Sequence, residues 1–440
     1  MARDSEKYAA YMATPFWDMR LAHWLQYVGG LRDNERHVLS HYPFKWVYAP
    51  PRDGKSGIEF LSDHDLDLGD VQASSIEEIQ AKLPTFEALR AEGSVEWTED
   101  RIDDVPCYGF RQIPEWEPMA GLLINWPTLY PPLWRIYRQV IAAFDHAITF
   151  LRIPEGHFGA TVLAWLEASG IDLEKVLPIP SPISDIWAKD YAPFYGVDTY
   201  TGEPVAHKFA YAAHGEGEGE FDSECDEINE KLDWIKGFKS YRTNIRIDAG
   251  MIQTTDGDGT YILTRRVLWD NAAIPNLHAR LAGWFGADEL IFIDEQPGDI
   301  LGHINHFRFV APKKVMLGVS DEKDTPVDRY LSALRARFDE RGYEVVEIPY
   351  TERFEIRTPF GGTVNPVLYA NCVMINERVI VPIFDMEGAE PYNERAVEAY
   401  ERALPDHQII PLDVSVLSIN GGGIYCGSKE IPDLTQLRTA

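Results

Sequence analysis

The sequence predicts an α/β protein, because short apolar strands alternate with amphipathic helices from about residue 110 onwards. Residues 122–127 have the composition of a buried strand that ends at a proline, and residues 133–144 carry apolar side chains at helical spacing. The string Asp-Gly-Asp-Gly over 256–259 is typical of a hairpin turn and predicts a strand over 260–263. Further strands are predicted over 307–310, 315–318 and 379–382, and helices over 324–341 and 393–403.

Residues 1–105 differ in composition from the rest of the chain. They hold amphipathic stretches rich in aromatic residues, and we expect a mostly helical N-terminal extension there. The remaining residues, 106–440, are expected to form the α/β domain. A chain of 440 residues has room for two or three domains of ~150 residues, or for one large repeated architecture. No repeat of fixed period is visible in the sequence.

The net charge of the chain excludes some classes of binding partner. Asp and Glu number 70 against 41 Lys and Arg, which gives a formal net charge of −29. Such a field repels phosphate backbones and anionic lipid surfaces and attracts cations. No apolar run approaches the ~20 residues of a membrane span. We therefore expect neither nucleic acid nor a membrane as a partner, and a homo-oligomeric state stays open. A solvated acidic surface that aids solubility accounts for most of this charge.

Cysteine usage and the N-terminus predict a cytoplasmic protein with free thiols. The first residues lack the apolar core of a signal peptide. The absence of a CxxC pair argues against a structural zinc site, and so few cysteines do not form a disulfide framework. The four cysteines are Cys107, Cys225, Cys372 and Cys426.

The segment before Cys426 is the best candidate for chemistry. Three glycines over 421–423 permit a close backbone approach that no other residue type allows, and a single cysteine follows them. That cysteine is a candidate nucleophile, although a lone cysteine is more often a small core residue.

Three further segments contain polar residues that are candidates for the functional site. The motif Gly-His-Ile-Asn-His-Phe precedes a predicted strand, and if that strand extends backwards, His303 and Asn305 share one face. Since this motif holds two histidines, one of them is open to a structural role. Asp190 follows Trp187 and stands before a proline, so it could hold a cation or serve as a turn residue. Asp248 stands at the edge of a predicted strand, where it could equally be solvated.

In chain order, these segments resemble one known family. The order is Trp-Ala-Lys-Asp ending at Asp190, Asp-Ala-Gly starting at Asp248, Gly-His-Ile-Asn around His303, and Gly-Gly-Gly-Ile-Tyr-Cys ending at Cys426. The chain is thereby similar to the agmatine deiminase and bacterial-type peptidylarginine deiminase family, within the guanidine-modifying superfamily. The resemblance covers roughly residues 110–435. Further matches lie over 114–118, 124–127, 264–275, 369–371 and 379–382.

The resemblance implies both a fold and a set of roles. The fold is the five-bladed, pseudo-symmetric α/β propeller, or pentein fold, built from ββαβ repeats. Cys426 would attack a guanidinium carbon as thiolate and form a covalent amidino-thiouronium intermediate. His303 would protonate the departing amine and then activate water, and Asp248 would orient that histidine. No metal and no organic cofactor is implied. The implied substrate-binding residues are Trp187, Asp190, Asn305, Asn371, Gly422 and Gly423.

Three positions depart from the family pattern in ways that bear on the site. Asn305 stands where the family has a second clamping Asp, Lys189 where Arg is usual, and Tyr425 where His commonly precedes the nucleophile. A carboxylate–cation contact at ~4 Å contributes about 4 kcal/mol at an effective dielectric near 20. We therefore expect Asn305 to alter substrate preference.

Three functions stay open at this point. The first is a deiminase that hydrolyses agmatine, arginine or a related guanidino substrate to a ureido product and ammonia. The second is an amidinotransferase that passes the amidino group to an amine, because the pair Asp248-Ala249 resembles those enzymes. The third is a binding protein without turnover. Retention of Cys426, His303, Asp190 and Asp248 together argues against the third.

Overall fold

A computed structural model defines the architecture of the chain between residues 101 and 437. The described ranges are 101–127, 131–153, 157–180, 186–211, 237–297, 299, 301–354, 356–357, 363–365, 367–418 and 422–437. Residues 1–100 of the predicted N-terminal extension lie outside them, so that extension and its boundary at residue 105 stay predictions. The described residues form an α/β structure, which confirms the predicted class.

Strands and short helices alternate along the whole described chain. The strands are β1 (Arg101–Asp103), β2 (Phe110–Gln112), β3 (Met119–Asn125), β4 (Ile148–Ile153), β5 (Val176–Pro180), β6 (Phe194–Asp198), β7 (Pro204–Ala210), β8 (Lys239–Arg246), β9 (Ile252–Thr254), β10 (Thr260–Thr264), β11 (Glu289–Ile293), β12 (Phe307–Ala311), β13 (Lys314–Ser320), β14 (Glu344–Tyr350), β15 (Ile356–Arg357), β16 (Thr363–Val364), β17 (Val373–Ile375), β18 (Arg378–Ile383), β19 (Gln408–Asp413) and β20 (Ser428–Pro432). The α-helices are α1 (Pro131–Ala143), α2 (His157–Ala168), α3 (Arg266–Asp270), α4 (Leu277–Phe285), α5 (Pro326–Glu340), α6 (Glu390–Ala403), α7 (Ser415–Ser418) and α8 (Leu434–Leu437).

The described chain divides into two compact units, and the smaller one holds residues 123–186. Within it, β4 and β5 pair in parallel. The apolar stripe that the sequence predicts for α1 is buried, with Trp134 and Tyr137 both at 0% exposure. The Trp134 ring lies 5.2 Å from that of Trp126 and 5.4 Å from that of Trp165. This aromatic cluster fixes α1 and α2 in their own unit.

The larger unit repeats one order of elements, two antiparallel strands followed by a helix and a parallel third strand. The hairpin β9–β10 is followed by α3 and α4, after which β11 pairs in parallel with β10. The order recurs in β12–β13, α5 and β14, and in β17–β18, α6 and β19. A fourth sheet pairs β6–β7 antiparallel and β7–β8 in parallel, with residues 212–236 between β7 and β8 outside the described ranges. The ββαβ unit therefore recurs without a fixed sequence period.

Helix α5 shows how local sequence sets these elements. Thr325 caps its N-terminus by accepting from the Asp328 amide at 3.0 Å, and Pro326 occupies the first turn. Asp324 has a φ of 63°, a left-handed conformation that no helix continues, so α5 begins two residues after the predicted start. Its buried face, which includes Leu331 and Phe338, packs onto β12–β14 in one apolar cluster. None of the helices in the described ranges has the length and apolar composition that a bilayer crossing requires.

Candidate active site

Five polar residues of the larger unit occupy corresponding positions, each just before the first strand of a sheet or strand pair. Asp190, Asp248 and His303 stand four residues before β6, β9 and β12. Asn371 and Cys426 stand two residues before β17 and β20. These loops carry candidate residues from distant parts of the sequence, and loops on a rigid scaffold are where functional residues concentrate.

A thiol, an imidazole and a carboxylate converge within this site. One ligand-type atom from each of Cys426, His303 and Asp190 lies within 4.8 Å of the other two. All three residues are buried, with exposures of 5–6%. The loops that carry them are hydrogen-bonded to each other, since the Lys189 amide donates to the Cys426 carbonyl at 3.0 Å and the Ala249 amide to the Asp190 carbonyl at 3.1 Å.

Asp248 and a glycine hold the imidazole of His303 in place. The His303 Nε2 lies 2.8 Å from Asp248 Oδ2, while Asp248 Oδ1 accepts from the Gly250 amide at 2.9 Å. The Gly250 backbone also lies against the imidazole, because a Cβ at that position would stand 2.7 Å from the ring. The Ile304 amide donates to the Gly250 carbonyl at 2.7 Å and fixes that approach. Only glycine leaves room for the ring here.

Asn371 contacts the thiol directly. Its Nδ2 donates to Cys426 Sγ at 3.3 Å, and its Oδ1 accepts from the Tyr425 amide at 2.8 Å. The Gly423 backbone stands against this amide, because a Cβ there would lie 2.3 Å from Asn371 Oδ1. The family resemblance implies that Asn371 and Gly423 bind substrate, whereas in the structure Asn371 contacts the thiol and its loop, and Gly423 packs on Asn371.

The pKa values of the thiol and the imidazole shift in opposite directions. Burial favours neutral His303, yet the Asp248 charge and hydrogen bond, together with Cys426 and Asp190, raise its pKa well above 6.5. Burial also favours a neutral thiol, but His303, the Gly423 backbone and the Asn371 amide donate to Cys426 and lower its pKa. Both shifts favour an imidazolium beside a thiolate, which is the reactive form of cysteine.

Two further residues of the expected site, Trp187 and Asn305, have contacts of their own. The Trp187 ring packs on the Gly422 backbone, where a Cβ would stand 2.6 Å from the ring. Asn305 donates from Nδ2 to Asp299 Oδ2 at 3.3 Å. Strand β12 begins at Phe307 and does not extend back to His303 and Asn305, so these two residues do not share a strand face. Asn420 and Gly421 lie outside the described ranges.

The second histidine of this motif has a structural environment. His306 is 5% exposed, and its ring lies 4.7 Å from that of Tyr350. Burial lowers the pKa of His306 to about 4, so this ring is neutral at pH 7. The environment of His306 therefore differs from that of His303, to which the family resemblance gives the acid–base role.

The donor set of Asp190, His303 and Cys426 is also of a kind that could hold a transition-metal cation. A metal, however, requires a neutral imidazole with a free lone pair. The raised pKa of His303 favours the imidazolium instead. The thiolate and the imidazolium that these pKa shifts favour are the charge states that covalent thiol chemistry requires.

The repeated ββαβ units and this group of side chains define the class of enzymes that modify guanidines. Residues 111–432 match the model of the Porphyromonas-type peptidyl-arginine deiminase family. The match covers well over half of the chain, and the chain belongs to this family. The resemblance inferred from the ordered motifs is thereby confirmed.

Known proteins of similar sequence and structure carry related names. The agmatine deiminase of Pseudomonas syringae pv. tomato is 22% identical over 362 residues, 74% of this chain and 96% of that protein. The structure of agmatine deiminase of Enterococcus faecalis superposes with a TM-score of 0.63 at 19% identity, covering 76% of this chain and 100% of that one. The structure of C. jejuni agmatine deiminase superposes with a TM-score of 0.61 at 20% identity, covering 73% of this chain and 96% of that one. At these identities the structures establish a shared fold.

Proposed function

We propose that the chain is a deiminase that hydrolyses the guanidinium group of a small cationic substrate to a ureido product and ammonia. The observation that carries the proposal is the convergence of Cys426, His303 and Asp190 within 4.8 Å. Agmatine, arginine and related guanidino compounds are the candidate substrates. The net charge of −29 attracts such cations and disfavours nucleic acid and anionic membranes as partners.

The substrate is held by the geometry of its planar, permanently cationic group. A guanidinium presents N–H donors in a rigid fork that a carboxylate accepts in bidentate fashion. We assign this contact to buried Asp190. Asn305 supplies an amide oxygen as a second, uncharged acceptor. Trp187 and the Gly422 backbone against which it packs form a wall of the substrate site.

The first half-reaction consumes the thiolate and the imidazolium. Cys426 Sγ attacks the guanidinium carbon and forms a C–S bond. The C–N bond to the leaving nitrogen then breaks, and the His303 imidazolium donates the proton that allows this nitrogen to depart as ammonia. Asp248, at 2.8 Å from His303 Nε2, orients the ring and stabilises its charged form.

The second half-reaction restores both groups. Neutral His303 removes a proton from water, and the resulting hydroxide attacks the amidino carbon of the covalent intermediate. The C–S bond breaks and the added hydroxyl group loses its proton, which the released ammonia takes up as ammonium. The ureido product leaves, and Cys426 returns as thiolate beside an imidazolium. The Asn371 amide, 3.3 Å from Sγ, stabilises the sulfur anion each time it forms.

Transfer of the amidino group to an amine is not favoured, since the matching family is one of deiminases. Mass spectrometry of products from guanidino-labelled agmatine and arginine, with and without primary amines, separates the two reactions. Label retained in a ureido product is the expected result, and label on the added amine would overturn the hydrolase assignment. Loss of product in Cys426→Ala, with the folded state retained, is the matched control.

We also propose that the ββαβ units form the five-bladed propeller of the pentein fold. The recurrence of this unit in the β9–β11, β12–β14 and β17–β19 sheets supports that arrangement. A crystal structure with closed five-fold pseudo-symmetry would agree with it, and an open arrangement would contradict it. The helical extension over residues 1–105, cytoplasmic location and homo-oligomerisation remain predictions.

A further inference from the structure

A buried charge cluster adjoins the candidate site through two residues that depart from the family pattern. Lys189 and Tyr425 immediately precede Asp190 and Cys426, and both line a cavity of about 30 Å³. The Lys189 amide donates to the Cys426 carbonyl at 3.0 Å, so the cavity wall is hydrogen-bonded to the loop of the thiol.

The two carboxylates of this cluster already have cationic partners. Lys189 Nζ lies 2.7 Å from Glu115 and 2.5 Å from Glu430. Arg308 pairs with Glu115 and lies 3.8 Å from Glu430. The Tyr425 ring stands between the cations, 3.7 Å from Lys189 Nζ and 3.4 Å from Arg308 Cζ. Its hydroxyl donates to Glu115 at 2.9 Å. Two cations and two carboxylates therefore balance.

Lys429 is a third cation in the same cluster and lacks such a partner. It is 6% exposed and lines the cavity. Within the described ranges, no hydrogen bond or ion pair is formed by its ammonium group, which stands 5.8 Å and 5.9 Å from the ring centroids of Phe194 and Tyr195. An unpaired buried charge is unfavourable. Burial and the nearby Lys189 lower the pKa of Lys429 to about 7 despite Glu430, so the ammonium form is populated at neutral pH.

We propose that this cavity binds a small monovalent anion of the halide type, held by the ammonium group of Lys429, whose charge the four paired groups leave unbalanced. Three cations and one carboxylate, Glu115, line the cavity. Since one water requires roughly 10–15 Å³, a cavity of about 30 Å³ has room for about two waters or one such anion. The overall charge of −29 repels anions from the rest of the molecule, so binding here requires a local site.

An anion at this position balances the third cation without disturbing the four paired groups. Its binding free energy adds to the stability of the folded state, because the unfolded chain has no such cavity. The bound anion also holds the loops of Lys189 and Tyr425 in their present positions. The site goes beyond the proposed deiminase activity, and its test needs no turnover.

The test compares full-length protein with two lysine variants. Thermal unfolding is followed in sodium chloride or sodium bromide against sodium gluconate at equal ionic strength. The expected result is a saturable rise in Tm with either halide, lost in Lys429→Gln. Lys323→Gln is the matched control, since the Lys323 side chain is 64% exposed, and it should keep the wild-type response. Equal responses of the wild type and Lys429→Gln would overturn the proposal.

A second measurement does not depend on any variant. Crystals of the wild-type protein are soaked in bromide, and the anomalous scattering of bromine is mapped. A peak within contact distance of Lys429 Nζ is expected. Its absence at a bromide concentration that saturates the Tm response would also overturn the proposal. Neither result alters the evidence for deiminase activity, since both readouts are independent of Cys426.

Discussion

The side-chain amide of Asn305 donates to the carboxylate of Asp299, with 3.3 Å between Nδ2 and Oδ2. The other Asp299 oxygen accepts from the Leu301 and Gly302 amides at 2.7 and 2.8 Å, so Asp299 is fixed in the loop that leads to His303. Because Nδ2 is engaged by Asp299, Asn305 has its Oδ1 available as a hydrogen-bond acceptor. Asp299 and Asn305 thus form one unit with a single negative charge.

This pairing predicts that restoring the family residue at position 305 alone is harmful. Asn305→Asp places two carboxylates about 3.3 Å apart, where like charges repel by about 5 kcal/mol at an effective dielectric near 20, and by less where solvent screens them. We expect a lower kcat/KM for agmatine, and a pH profile in which activity improves as the pH falls and one carboxylate is protonated.

The double variant Asp299→Asn with Asn305→Asp tests the hydrogen bond between these two residues by exchanging their side chains. It keeps one charge and one amide, with donor and acceptor exchanged. We expect it to recover most of the activity that the single Asn305→Asp variant loses, and to show a wild-type pH profile. Equal activity of the single and the double variants would mean that the charge of Asp299 is not the reason why the single Asn305→Asp variant loses activity.

Opposed pKa shifts predict that Cys426 is alkylated before Cys107 and Cys372. Its thiol has a lowered pKa, whereas burial raises the pKa of Cys107 and of Cys372. A haloacetamidine, a small planar cation, should therefore label Cys426 selectively at neutral pH. The labelling rate should fall as acid protonates the thiolate, and the thiols of Cys107 and Cys372 should react only at alkaline pH. Peptide mapping measures this order, and faster labelling at Cys107 or Cys372 would contradict it.

The His303→Ala variant tests, by the same labelling measurement, whether His303 lowers the pKa of Cys426. Without the imidazolium, the pKa of Cys426 rises, and the pH at which labelling begins moves upward. Turnover should fall on the order of 10³-fold or more, as is typical when a nucleophile loses its acid–base partner. An unchanged labelling profile would exclude His303 as the group that stabilises the thiolate.

The hydrogen bond from Asn371 to the thiol predicts that Asn371→Asp and Asn371→Ala differ in the pKa of Cys426. Asn371→Asp keeps the acceptor for the Tyr425 amide but replaces the donor that faces Sγ with a carboxylate oxygen. The pKa of Cys426 should rise more in this variant than in Asn371→Ala. A hydrogen bond to a charged group contributes about 1.5–3 kcal/mol, so activity of the alanine variant should fall roughly 10–100-fold. If Asn371 contacted only substrate, both variants would change KM and leave the labelling profile unaltered.

The hairpin before β10 and helix α5 could be predicted because each has a local signature in a few adjacent residues. The candidate reactive groups have only weak local signatures, and they were predicted because four motifs in chain order resemble one family. Contacts between distant segments carried no such signature. Asn371 and Cys426 are 55 residues apart, and Tyr425 and Glu115 are 310 apart. Such pairs meet only because the repeated units bring their loops together, so the cluster around Lys429 and the role of Asp299 required the structure.

The last prediction concerns Gly250, where an added methyl group tests what holds the His303 imidazole in its orientation. A Cβ at this position would lie 2.7 Å from the His303 ring, so Gly250→Ala must displace the ring or the backbone that carries Asp248. Overpacking of this kind typically costs about 1–3 kcal/mol in stability. The larger expected effect is on kcat, with an altered Cys426 labelling profile, because the distance from Asp248 to His303 changes. Gly283→Ala is the matched control, since this α4 glycine has only an ordinary 3.8 Å contact with Pro106, and alanine there should stabilise the helix by about 1 kcal/mol. Equal kcat values in the two variants would show that the close approach of Gly250 does not position His303.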